Sequence, residues 1–167
     1  RFNLKNDIEI IIRDFHRTLL NIIDDFGLKE ININENEITE FCNLINDNNL
    51  VYLDDDSAIE VGLDGKILPP GYFMNLTTKF IYEIFVKGGP DLFASKVVKG
   101  LIHMKSDVEF FKSILMNKKY KIKIELSEPI KKEGIKGTYY SIAFQISLLD
   151  NEFNVYATDN HDFFFPI

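Results

Sequence analysis

The stretch from Leu68 to Val86 (Leu-Pro-Pro-Gly-Tyr-Phe-Met-Asn-Leu-Thr-Thr-Lys-Phe-Ile-Tyr-Glu-Ile-Phe-Val) limits what this chain can fold into more than any other. Pro69 and Pro70 preset the φ of a first helical turn and lack the N–H groups that would go unpaired there. Tyr72, Phe73, Leu76, Phe80, Ile81, Ile84 and Phe85 then recur at three- and four-residue spacing, which predicts a helix. Only Lys79 and Glu83 carry charge, so the helix is apolar over most of its circumference and must sit inside something. Gly88-Gly89-Pro90 reads as its end, glycine giving a left-handed exit and proline barring continuation.

From about Gly100 to the C-terminus the chain reads mostly as strand. Tyr120, Ile122, Ile124 and Leu126 alternate with Lys121, Lys123 and Glu125, and Tyr140, Ile142, Phe144, Ile146 and Leu148 alternate with small or polar residues. Val108, Phe110 and the 153–165 stretch supply flanking strands, and Lys132 to Gly137 and Asp150-Asn151-Glu152 are turns at hairpin spacing. A buried helix followed by a long antiparallel run predicts an α+β protein with its sheet wrapped round the helix, the hotdog arrangement.

The first half is helical. Asn6-Asp7-Ile8-Glu9 has the form of a capping box, and Ile8, Ile11, Ile12, Phe15, Leu19, Ile22, Ile23 and Phe26 make one apolar stripe that stops at Gly27. Residues 1–27 are thus an amphipathic extension that must dock on something, and 28–167 the hotdog domain. His16, beside the stripe, is read as structural or solvent-facing. Ile31 to Ile33 is a short strand. A second capping box at Asn34 opens a helix whose buried face holds Ile38, Phe41, Cys42 and Ile45, making Cys42 a small core residue. Asn46-Asp47-Asn48-Asn49 breaks that helix, and Asp54-Asp55-Asp56-Ser57 caps a short one.

Charge narrows the function. The net charge of −7 combines −9 over residues 1–83 with +2 over the remainder, so no basic face marks a nucleic-acid binder. Lysines of the second half, such as Lys96, Lys99 and Lys118, could meet a small polyanion, though a solvated surface explains each as well. No apolar run reaches the ~18 residues of a membrane span and no signal-peptide pattern is present, so cytoplasm is the default. One cysteine rules out an internal disulfide and a CxxC metal knuckle.

Phosphate loops, GxGxxG, GxSxG and HExxH are absent, and no cofactor is expected. Thr158-Asp159-Asn160-His161-Asp162 sets two carboxylates around a histidine, with Asp159, His161 and Phe163 on one strand face. A metal site is one reading of it; a surface strand end with ordinary polar residues is the preferred one.

The informative place is Asn46 to Ala58 together with Leu68 to Tyr72. Asn46-Asp47-Asn48-Asn49-Leu50-Val51-Tyr52, then five residues and Ala58, resembles the loop Gly-Asp-x-Asn-Pro-Leu/Ile-His, five residues and a small one. That loop belongs to the MaoC-like hydratases and dehydratases, which add water to 2-enoyl thioesters or remove it from 3-hydroxyacyl thioesters. Lys66 to Gly71 is similar to that family's approach to its central helix, and Leu101-Ile102-His103 with Val108 to Phe111 to the strand after it. The resemblance runs from about Leu28 to the C-terminus. It implies that Asp47 falls on the catalytic aspartate, Asn49 on the loop-shaping asparagine, and Gly71 on the glycine whose N–H polarises the thioester carbonyl. Tyr52 stands where the catalytic histidine would be and Leu50 where the proline would be. A phenol with a pKa near ~10 is a poor base at neutral pH.

The resemblance therefore implies an acyl-thioester-binding subunit of a 3-hydroxyacyl dehydratase or 2-enoyl hydratase, degenerate in its own catalytic loop. Its partners would be acyl-coenzyme A or acyl-carrier-protein thioesters and a second hotdog chain, as a homodimer or as a heterodimer with a catalytic subunit. Phe73, Leu76, Phe80 and inward residues of the third and fourth long strands are expected to line an acyl channel. Two alternatives stay open: an active hydratase using Asp47, and a non-enzymatic interaction or regulatory module.

Overall fold

The computed structural model describes residues 4–94, 96–116 and 118–167. Helix α1 (Leu4–Phe26) is followed by strand β1 (Lys29–Ile31), helix α2 (Glu35–Ile45), the short helices α3 (Leu50–Leu53) and α4 (Asp55–Glu60), and the long helix α5 (Pro70–Ala94). Strands β2 (Ile102–Phe110), β3 (Tyr120–Leu126), β4 (Ile130–Gly134), β5 (Gly137–Leu149) and β6 (Val155–Pro166) complete the chain. All pairings are antiparallel, in the order β1-β3-β5-β6-β2. One edge of β5 is shared: Phe144–Leu149 pair with β3, and Gly137–Ser141 with β4.

Helix α5 lies on the sheet as its apolar pattern requires. Phe73 meets Phe110 of β2 edge-on at 5.6 Å, and Phe85 meets Phe144 and Phe163 at 5.3 and 5.1 Å. Phe73, Phe80, Ile81 and Ile84 are buried. The helix is not covered all round, however. Met74, Tyr82, Val86 and Phe93 remain exposed, a stripe close to four-residue spacing.

The expected stop at Gly88-Gly89-Pro90 is corrected, because α5 runs on to Ala94 with Pro90 inside it. Gly88 serves packing instead of an exit turn: a Cβ there would lie 3.0 Å from both Ile22 Cδ1 and Leu19 Cδ2. Two helices approach closely at that point. Pro90 costs one ladder hydrogen bond, near the helix end where few bonds depend on it.

Helix α1 joins the same core through Ile12, Phe15, Leu19 and Ile23, with Phe26 edge-on to Phe80 at 5.4 Å and Phe15 to Phe165 at 5.9 Å. Its backbone is helical from Leu4, ahead of the expected cap at Asn6. The side chains of Asn6 and Asp7 lie outside the described residues. Gly27 ends α1 as expected, at φ 58° with its N–H on the Ile23 carbonyl. His16 is structural: buried, with Nε2 3.0 Å from the Ser127 carbonyl oxygen.

Candidate functional site

The loop after α2 is built by its own side chains. Asn46 takes a left-handed conformation (φ 56°), and the Asp47 N–H donates back to the Cys42 carbonyl at 2.8 Å. Asp47 Oδ1 accepts from the Asn49 N–H at 3.1 Å, and Asn49 Oδ1 from the Val51 N–H at 3.3 Å, capping α3. Asp54 caps α4 by accepting from the Ser57 N–H and hydroxyl. Ala58 is fully buried where the loop turns inward.

Asp47, Tyr52 and Cys42 come together. Burial raises the Tyr52 pKa, and the negative charge of Asp47 raises it further, with a smaller push from Cys42. The Cys42 thiol is raised by burial first and Asp47 second, and it is completely buried. Neither group ionises near neutrality, so the loop sets a neutral phenol beside Asp47.

Gly71 stands exposed in the first turn of α5, where a Cβ would touch the Phe41 ring at 3.4 Å. The Tyr72 and Phe73 N–H groups both donate to the Pro69 carbonyl, at 3.0 and 3.3 Å. The Gly71 N–H has no acceptor among the described residues and points out of the positive helix end. Phe41 packs edge-on against Tyr72 at 5.4 Å, and the Tyr72 hydroxyl donates to Glu37 at 2.7 Å, fastening α2 to this turn. Burial and Glu37 push the Tyr72 phenol up to about 12.

A cavity of about 740 Å³ opens beside α5. Leu76 and Phe80 form part of its wall, with Ile31 and Ile33 on one side and Phe41 of α2 on the other. Phe73 does not line it, being wholly buried against Phe110. Nor do the inward residues of β5 and β6, whose faces are filled by Phe85 and its neighbours.

A surface strand end is the expectation for Asp159 and His161, and the structure corrects it. Asp159 is 0% and His161 1% exposed. Asp159 Oδ2 lies 2.6 Å from the Thr77 hydroxyl and 2.8 Å from His161 Nε2, while Oδ1 accepts from the Ser106 hydroxyl at 2.7 Å. Burial alone would raise the Asp159 carboxyl, but the hydrogen bonds from His161, Thr77 and Ser106 outweigh it and hold its pKa below the usual range. The alternation along 158–163 puts Asp159 and His161 on one face. Burial of that face depends on α5, whose Thr77 hydroxyl meets the carboxylate. No group of three or more metal-ligating side chains suited to a metal ion occurs among the described residues.

No family model and no curated protein matches the chain. Solved structures do. A structure of the ChsH1–ChsH2 complex from Mycobacterium tuberculosis has a TM-score of 0.66 at 19% identity, over 92% of this chain and 91% of that one. A C-terminally truncated HadBC (3R-hydroxyacyl-ACP dehydratase) complex from the same organism gives 0.63 at 11%, over 81% and 90%. The (R)-hydratase of A. caviae involved in PHA biosynthesis gives 0.63 at 12%, over 82% and 91%. At these identities the likeness is one of fold, and the fold of this chain is the hotdog fold of these structures.

Proposed function

We propose that this chain binds acyl thioesters as a subunit of a 3-hydroxyacyl dehydratase or 2-enoyl hydratase, beside a hotdog subunit that carries the complete acid–base pair. The observation that carries this reading is the phenol of Tyr52 next to Asp47, with its pKa pushed above the ordinary 10. Water addition needs a base for the water's proton, an acid for the α-carbon and a polarised carbonyl. The Gly71 N–H supplies the last, and Asp47 one proton-transfer group. A neutral phenol does not supply the other, and a missing base costs ~10²–10⁴-fold.

The acyl chain would occupy the cavity walled by Leu76 and Phe80, with Asn49 holding the loop in shape and Phe73 backing the helix from beneath. Each buried methylene is worth roughly 0.8 kcal/mol, so affinity should rise severalfold per carbon until the space is full. A partner is supported by two surfaces. β2 is a sheet edge with Ile102 and Met104 exposed, and α5 exposes its own apolar stripe. Two of the fold neighbours are themselves two-protein complexes. No helix among the described residues is long and apolar enough to cross a membrane, and we take the cytoplasm as the site of action.

Copurification from the native cell, followed by 2-enoyl-coenzyme A hydration assays, tests the proposal. The isolated chain should turn over barely above background and the partner should restore the rate. Robust turnover by the chain alone that Asp47→Asn abolishes would replace this reading with the active-hydratase one.

A further inference from the structure

Strand β2 carries an irregularity with a chemical consequence. Phe110 and Ser106 face the interior, where they meet Phe73 and Asp159. A regular pleat would continue that face through position 104 and send His103 outward. Instead the register with β6 shifts between His103 and Lys105, making Met104 an extra residue. Such bulges re-aim side chains. His103 thereby turns onto the inner face, stacked on Phe163 at 4.7 Å, with Nε2 3.1 Å from Nδ1 of His161. It is nevertheless exposed, at the sheet edge.

The partners fix the protons. The Lys105 carbonyl, 2.9 Å from His103 Nε2, only accepts, so Nε2 of His103 carries hydrogen. Ionised Asp159 also only accepts, so Nε2 of His161 carries hydrogen too. Nδ1 of His161 is then a lone pair facing the His103 N–H, and Nδ1 of His103 has no partner among the described residues.

We infer that Asp159, His161 and His103 form a proton relay whose outlet, Nδ1 of His103, is an acid–base site at the sheet edge, separate from the Asp47 loop. Nδ1 of His103 takes a proton from a ligand X–H, leaving X⁻. The Nε2 proton of His103 passes to Nδ1 of His161, and the resulting imidazolium rests on the Asp159 carboxylate. Nothing is oxidised, and the charge on X⁻ is matched by that on His161. Reversal delivers a proton. The other charged groups nearby are the Lys105–Asp107 pair on β2 and Asp162 on β6, while α5 presents the neutral Thr77. The site goes beyond the function proposed above, in which the partner carries the acid–base pair that acts on the thioester; its ligand is a proton donor or acceptor that reaches the exposed His103 ring at the sheet edge.

The chain has three histidines, so nitrogen-15 NMR resolves each imidazole. Both rings of the relay should carry hydrogen on Nε2, with a nitrogen–nitrogen coupling through the hydrogen bond from His103 Nε2 to His161 Nδ1. Asp159→Asn replaces the obligatory acceptor by an amide and should release His161 from that tautomer. Ser106→Ala leaves the Asp159–His161 contact in place and should keep the coupling, which keeps the test open if Asp159→Asn does not fold. An Nδ1–H tautomer at either ring, or no coupling in the wild-type chain, would overturn the relay. His103→Gln should abolish the coupling and shift the His161 Nδ1 signal; an unchanged Nδ1 signal would overturn the assignment of His103 as outlet. Binding of acyl thioesters by the wild-type chain tests the proposed function separately, and the NMR signals read the relay regardless.

Discussion

Two polar regions of this molecule use the same residue types in opposite ways. In the loop from Asn46 to Ser57, Asp47, Asn49 and Asp54 each accept from a backbone N–H two or three residues on. Their hydrogen bonds are local, and Asn49 and Asp54 are open to water. In the cluster under α5, Asp159 and His161 bond to Thr77, Ser106 and His103, residues 53 to 84 positions away, in near-complete burial. A carboxylate in the first setting shapes a turn. In the second it must be fully satisfied or the fold fails, and its charge acts on every proton nearby.

Removing a carboxylate or amide from each region in turn separates the two settings. Asp159→Ala leaves His161 and Ser106 without their acceptor and should cost about 3–5 kcal/mol in urea unfolding, the range for breaking a buried pair. Asn49→Ala loses only the cap of a four-residue helix and should cost about 1 kcal/mol. Comparable losses from the two would mean that the buried cluster is not the stronger of the pair.

Acid sharpens the contrast. Asp159 has a folded-state pKa below its unfolded value, so its stabilisation is present above the unfolded pKa of ~3.9 and is lost as pH falls through the folded one. Asp54 is also lowered, chiefly by the Ser57 hydroxyl, but in full solvent contact. Unfolding midpoints followed from pH 7 down to 3 should therefore flatten more in Asp159→Asn than in Asp54→Asn.

The smallest effect concerns Tyr52. Its raised pKa has burial as the larger cause and Asp47 as the next, so Asp47→Asn should lower the phenol towards 10 without reaching it. The phenolate difference spectrum between each background and its Tyr52→Phe counterpart reads this directly. A midpoint that does not move would show that Asp47 does not face the ring.

Local chemistry was written in the sequence. The apolar period of 68–86 determined the central helix, Gly27 the stop of the first one, the alternations at 120–126 and 140–148 two strands, and the Asn and Asp run at 46–57 a capped loop. These depend on neighbours a few residues away, and the polypeptide carries them wherever it goes. Three things were decided only in the folded molecule. Gly88-Gly89-Pro90 lies inside a helix because Gly88 is needed beneath Leu19 and Ile22 of α1, far back in the chain. The cavity beside Leu76 and Phe80 is closed by α2 and β1, since Phe85 and its neighbours fill the faces of β5 and β6. Asp159 and His161 are buried because α5 lies across them, and a one-residue bulge joins His103 to them. Helical and strand periods report which residues share a face; what covers that face is set by packing between distant segments, which no local pattern encodes.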